Sequence, residues 1–170
     1  KYGHLKQMFD ISLAATDAYV DSSKGVVRGD SVEKAILAVA SELNIDPDGD
    51  SLRGDRIDYL AFTSENRFAA GLAPHEDKFY LCINGATEFI TEKCTSIETE
   101  HGVEDLSDGL RAKLESEIEE ETSHGKRLVA VAYSLVDYDD IPEDDLDAVL
   151  SNLTLAGILV LNDPVRPQVK

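Results

Sequence analysis

The run Lys78-Phe79-Tyr80-Leu81-Cys82-Ile83-Asn84-Gly85-Ala86-Thr87-Glu88 constrains the fold of this chain more than any other stretch. Its first half is apolar and rich in β-forming residues, and it stops at Asn84-Gly85. A helical pattern starts at once with Glu88, Phe89 and Ile90, followed by Glu92, Lys93 and Cys94. A strand that turns abruptly into a helix leaves backbone N–H groups and the positive end of the helix dipole at the junction. Gly85 lets a ligand or a second stretch of backbone come close there. Taken alone, the junction is a weak pointer to an anion site, because many strand–helix turns bind nothing.

The segments on either side add a succession of helices and strands. Leu5, Met8, Phe9, Ser12 and Leu13 follow helical spacing and predict a helix over 4–19. After the turn cluster Asp21-Ser22-Ser23-Lys24-Gly25, Asp30 stands three residues before Glu33, the arrangement of an N-cap and capping box. Val32, Ile36, Val39 and Leu43 then share one face, giving a helix over 31–43. Residues 44–56, with Pro47, Gly49 and Gly54, read as a surface loop. Three strands are expected over 57–62, 68–72 and 78–83, and a helix over 87–94. Leu106, Leu110, Leu114 and Ile118 mark an amphipathic helix ending near Gly125. Residues 128–133 form a buried-strand pattern, Leu146, Val149 and Leu150 a short helix, and 153–161 a last strand. The order predicts an α+β domain: a largely antiparallel, twisted β-sheet flanked by helices.

Length and charge bound the function. A chain of 170 residues with 42% hydrophobic content holds one folded domain with a full core. Its 34 acids against 16 bases give a net charge of −18, which repels phosphate backbones and anionic lipid alike. No nucleic-acid partner and no direct membrane contact are therefore expected, and an anionic ligand must be met by a few local cations. Cys82 and Cys94 offer neither a disulfide framework nor zinc spacing, and read as two reduced, packed thiols. No run has the length of a membrane span, and the sequence reads without a signal-peptide pattern. The chain begins without Met and ends on Gln168-Val169-Lys170, so it reads as a piece of something larger.

Several short motifs dissolve on inspection. Asp48-Gly49-Asp50 resembles the start of a calcium loop, but the glycine is misplaced and Ile57 stands where the closing Glu belongs. Ser31-Val32-Glu33-Lys34 has the S-x-x-K spacing of a serine hydrolase, without the K-T-G such an enzyme needs. Asp137-Tyr138-Asp139 mimics a D-x-D phosphotransferase motif with too little chain after it. His4, His75, His101 and His124 are scattered and show no metal spacing.

Five segments, in order and spanning nearly the whole chain, resemble the nucleotide-binding (N) domain of a P-type cation-transporting ATPase. Gly29-Asp30-Ser31-Val32-Glu33-Lys34-Ala35-Ile36-Leu37 resembles the family's G-D-P-x-E-x-A-L. Phe62-Thr63-Ser64-Glu65-Asn66-Arg67 resembles F-x-S-x-x-K/R, and Ile83-Asn84-Gly85-Ala86-Thr87-Glu88 resembles K-G-A-x-E. Gly125-Lys126-Arg127-Leu128-Val129-Ala130-Val131-Ala132 resembles G-x-R-x-L-x-x-A, and residues 155–166 resemble the strand that ends in D-P-x-R.

The resemblance implies a nucleotide site made of Glu33, Phe62, Ser64, Arg67, Asn84, Gly85 and Arg127. Phe62 would be the adenine platform, whereas residue type alone suggests a core Phe. Glu33 would accept from the adenine amino group, or would serve the capping box with Asp30. Arg67 takes the family's basic position beside the nucleotide, and Arg127 would reach the phosphates with its planar fork. Asn84 stands where the family usually has Lys, so one positive charge is lost, and a lysine at 84 is expected to strengthen nucleotide binding. Ser31 replaces the usual Pro, and the absence of a His-Pro pair disfavours the heavy-metal branch.

On this reading residues 1–162 are the N domain, and Asp163, Pro164 and Arg166 belong to a hinge remnant over 163–170. The ligands implied are ATP and ADP, with Mg2+ in the parent enzyme. The partners implied are the phosphorylation and transmembrane domains of the same polypeptide, on the cytoplasmic side of a membrane. The phosphorylated aspartate of the family lies in D-K-T-G-T, which does not occur in this chain. The fragment would therefore hold ATP without being catalytic. The alternative is a degenerate N domain without nucleotide binding, serving as an interaction or regulatory module.

Overall fold

The computed structural model describes residues 2–162, and the expected hinge residues Asp163, Pro164 and Arg166 lie outside them. Its centre is the junction stretch: β5 (Lys78–Ala86) runs without a loop into α3 (Thr87–Lys93). Strand β5 pairs antiparallel on one side with β4 (Phe68–His75) and on the other with β8 (Arg127–Val136). β8 in turn pairs antiparallel with β9 (Leu153–Leu161). Short strands finish the sheet at both edges: β3 (Asp58–Leu60) beside β4, and β6 (Cys94–Thr99) with β7 (Gly102–Asp105) beyond β9. The seven-stranded order is β3-β4-β5-β8-β9-β6-β7, and every pairing is antiparallel except β6 with β9. The fold is the expected α+β sheet flanked by helices.

Because side chains alternate along a strand, the sheet divides the apolar residues into two cores. Cys82, Val131, Ala156 and Leu159 face α1 (Tyr2–Ala14) and α2 (Ser31–Glu42) and pack with Ile11, Leu13, Ile36 and Leu37. Leu81, Ile83, Ala130, Ala132 and Leu155 face the other way, against Ile90 of α3 and Leu150. Leu106 and Ile118 close that core from the side of α4 (Asp108–Ser123), and Val149 of α5 (Leu146–Val149) completes it. The two thiols lie in different cores, so they cannot pair, and burial pushes both up, Cys94 to about 12.

Several boundaries differ from expectation, each for a local reason. The first helix ends at Ala14 and not at 19, because Ala15 N–H donates to Ser12 O and Thr16 N–H to Leu13 O, tightening the last turn. Residues beyond it form a hairpin, β1 (Tyr19–Asp21) with β2 (Val26–Arg28), around the turn cluster. Cys94, expected as the last helical residue, is extended (φ −81°, ψ 132°) and starts β6. Strands β6 and β7 carry few buried apolar residues and give no strong period in sequence. The segment 44–56 is irregular as expected, yet it buries Ile45 and Ser51.

Helix α1 lies so close to the sheet that Gly71 of β4 has no room for a side chain. A Cβ there would overlap the Ala14 carbonyl oxygen. Gly71→Ala is therefore expected to lower unfolding free energy by about 2–3 kcal/mol, since overpacking against backbone cannot be relieved by a rotamer change. A denaturant midpoint unchanged from the parent protein would contradict this packing.

Candidate functional site

At the end of β5 the face toward α1 carries a polar residue in place of an apolar one. Asn84 is 7% exposed and makes a closed set of bonds. Ser12 Oγ donates to its Oδ1 at 2.9 Å, while its Nδ2 donates to Ser12 O at 2.8 Å and Ala15 O at 3.5 Å. The amide thus ties the last turn of α1 to the central strand. Its donors are spent on α1, and a lysine at 84 would have to break the Ser12 bond before it reached a ligand. Gly85 is required by packing: a Cβ there would stand 2.5 Å from Ile90 Cγ1 and 2.9 Å from Phe68 Cβ. The close approach expected at this glycine is made by side chains of the same chain.

Beside this tie lies a cleft of about 360 Å3. Helix α2 contributes its N-terminal end, where the capping box is present: Glu33 N–H donates to Asp30 Oδ1 at 2.8 Å and Asp30 N–H to Glu33 Oε2 at 3.2 Å. The second carboxylate oxygen of Glu33 accepts from Asp17 N–H at 3.1 Å, which fastens the segment after α1 to α2. Arg127, at the first residue of β8, is exposed and donates from Nη1 to Ser31 Oγ at 3.2 Å. Phe62 stands at the lip with 55% of its surface exposed, so it is not a core Phe. The floor is apolar, from Ala15, Val32, Ile36, Ala69 and Val129.

Glu33, Phe62, Asn84, Gly85 and Arg127 are thus brought together on one cleft. Ser64 and Arg67 do not line it. Arg67 has a left-handed backbone (φ 66°), and its guanidinium lies 5.0 Å from the Phe89 ring centroid. Its N–H donates to Thr63 O at 2.8 Å and its carbonyl accepts from Ala86 N–H at 3.0 Å. The turn that contains Ser64 is thereby pinned to the end of β5, which fixes where Phe62 sits. Among the described residues, no group of three or more His, Cys, Asp or Glu is placed to hold a metal ion.

Sequence reasoning missed a second group behind Glu33. Arg56, placed in a surface loop, turns inward: Nη1 donates to Ala14 O at 3.1 Å and Thr16 O at 2.7 Å, and Nη2 to Asp17 Oδ1 at 3.0 Å. A cation is well placed on the free carbonyls at the end of α1. The same guanidinium sits 4.3 Å from the Tyr59 ring centroid. Burial first, and then the Glu33 and Asp17 carboxylates, push the Tyr59 phenol up to about 12. No local sequence signal marks Arg56, because its partners lie about forty residues away in the chain.

A family model described as P-type ATPase, cytoplasmic domain N, matches residues 4–168. The alpha-B subunit of a sodium/potassium-transporting ATPase from Artemia franciscana is 28% identical over 156 residues, covering 86% of this chain and 16% of its own length. A plasma membrane-type calcium-transporting ATPase 10 from Arabidopsis thaliana is 26% identical over 157 residues, covering 88% of this chain and 15% of its own. A probable calcium-transporting ATPase 9 from Oryza sativa subsp. japonica reaches 31% over 150 residues, covering 86% of this chain and 14% of its own. The chain belongs to the family of P-type ATPase cytoplasmic N domains. It spans no more than 16% of the length of these three relatives. No helix among the described residues is long and apolar enough to cross a membrane.

Two outcomes follow from this geometry. Asn84→Ala leaves the Ser12 hydroxyl and carbonyl without their partner and should cost about 2 kcal/mol of stability by denaturant unfolding. For Tyr59, a raised value in the folded state means that its stabilisation is complete below pH 10 and lost as pH rises through about 12. Tyr59→Phe should therefore lose less stability than the parent between those values, which unfolding curves across that range would check.

Proposed function

We propose that the cleft binds an adenine nucleotide, ATP or ADP, with the adenine ring against Phe62. The observation that carries this reading is a half-exposed aromatic ring at the lip of an apolar-floored cleft that also holds Glu33 and Arg127. The cleft volume falls in the range of small-molecule sites, about 300–1,000 Å3. Stacking on an exposed ring contributes about 1–3 kcal/mol per base. Each Glu33 oxygen accepts one backbone N–H and keeps a lone pair to accept from an exocyclic amine. Arg127 is the group that would meet the phosphates. Arg67 acts, on this reading, by holding the Phe62 turn, in which Ser64 lies, in place.

In the whole protein the domain would present ATP to an aspartate on a separate domain, the parent coupling this to cation transport across a membrane. The chain's part would be binding and orientation, which lower the barrier by positioning the γ-phosphate. Mg2+ would arrive with the phosphates, neutralising charge on the transferred group. The hinge proposed at Asp163, Pro164 and Arg166 would let the domain swing toward the acceptor.

A second reading, an N domain that no longer binds nucleotide and serves as an interaction module, draws on the engaged amide of Asn84. An NMR titration separates the two. Binding should shift backbone signals near Phe62, Glu33 and Arg127, and signals that stay still at millimolar ATP would favour the second reading. Phe62→Ala should weaken adenosine and ATP alike, by about tenfold for a stack worth about 1.4 kcal/mol. Arg127→Ala should weaken ATP more than adenosine.

A further inference from the structure

Charge around the cleft runs against a polyphosphate. Of the charged side chains that line it, Asp30 and Glu33 are carboxylates and Arg127 is the single cation among the described residues. Three further cations of the cleft side do not line it and hold other partners. Arg67 lies over the Phe89 ring, Lys126 pairs with Glu121, and Arg56 is held by the Ala14 and Thr16 carbonyls and by Asp17. Asn84, which lines the cleft, is neutral, and both ends of its amide are bonded to α1. Apart from Arg127, what remains uncommitted is apolar: the exposed ring of Phe62 and the floor of Ala15, Val32, Ile36, Ala69 and Val129.

From this arrangement, and resting on the nucleotide reading above, we infer that the cleft is selective for the uncharged purine nucleoside and is averse to free phosphate charge. Adenosine binds at least as tightly as metal-free ATP. The base gains stacking and apolar burial, neither of which depends on the phosphates. Each phosphate oxygen enters a field set by two carboxylates, one guanidinium and a surface at −18. Mg2+ bound to ATP reduces the ligand's charge and with it the repulsion, so MgATP binds more tightly than metal-free ATP. The discrimination is electrostatic and therefore fades with salt, as the Debye length shortens from about 30 Å at 0.01 M to about 8 Å at 0.15 M and about 3 Å at 1 M.

The test is a set of dissociation constants on the full 170-residue chain, read from NMR shifts near Phe62, for adenosine, AMP, metal-free ATP and MgATP. At about 0.01 M salt, where screening is weakest, adenosine is expected to bind severalfold more tightly than metal-free ATP. The two should converge as salt rises toward about 1 M. Metal-free ATP binding more tightly than adenosine at low salt would overturn the inference and leave the nucleotide site standing. No shifts with any of the four would remove the site and the inference together. Ser31→Lys, which adds a cation at the exposed cleft rim beside Arg127, should move the ATP-to-adenosine affinity ratio severalfold toward ATP. An unmoved ratio would show that charge is not the cause.

Discussion

The bonds between Asn84 and the last turn of α1 are the constraint on which the cleft side of the molecule depends. Strand β5 is covered on both faces, so a polar side chain near its end must find partners within the protein. Asn84 finds them in Ser12 and Ala15. The net gain from each bond is about 1 kcal/mol, but leaving the amide unpaired in that position would cost more than the bonds supply. That asymmetry fixes the place of α1. Gly71 lets the Ala14 carbonyl reach the sheet, and Arg56 takes up the neighbouring carbonyls that the helix leaves free. With α1 held at three points, Ala15 becomes one wall of the cleft and Asp17 comes within reach of Glu33.

How much of the fold was legible followed from where each segment finds its stability. Strands β5, β8 and β9 were readable because burial on both faces demands a continuous apolar run, and that demand is written locally. The capping box of Asp30 and Glu33 was readable for the same reason, since its partners are three residues apart. Strands β6 and β7 were not. Val103 is 58% exposed and the strand around it is acidic, so β7 exists only because β6 offers it a ladder, which β6 in turn owes to β9. The hairpin of β1 and β2 is of the same kind: its turn cluster was visible, and its short, exposed strands were not.

The site was legible in a different way. Glu33, Phe62, Asn84, Gly85 and Arg127 come from four separate segments, and composition or period would not have joined them; the family resemblance did. Five of the seven residues it named line one cleft. Arg67 and Ser64 occupy the expected segment, yet the left-handed turn at 67 sends the guanidinium to Phe89 and away from the cleft. Arg56 and Tyr59, which back the site, were hidden because their contacts are made across distant parts of the chain and leave no local pattern.

The chemistry left to the cleft is what packing has not already used. Asn84 is committed to α1, Glu33 to Asp30 and Asp17, and Asp30 to the first turn of α2. Even the strand–helix junction is closed by its own chain, because Ala86 N–H is taken by the Arg67 carbonyl and Gly85 makes way for Ile90. A polar group that already accepts or donates two well-formed bonds can add a weaker third, but it cannot reorganise around a ligand without loosening the helix it holds. Two groups carry no such duty. Among the described residues, the Phe62 ring is exposed with no structural partner in the cores, and Arg127 holds only a rim hydroxyl. A flat ring and one guanidinium are suited to a ligand with a flat face and a modest charge. The balance between them is set by the demands of holding α1 and α2 on the sheet.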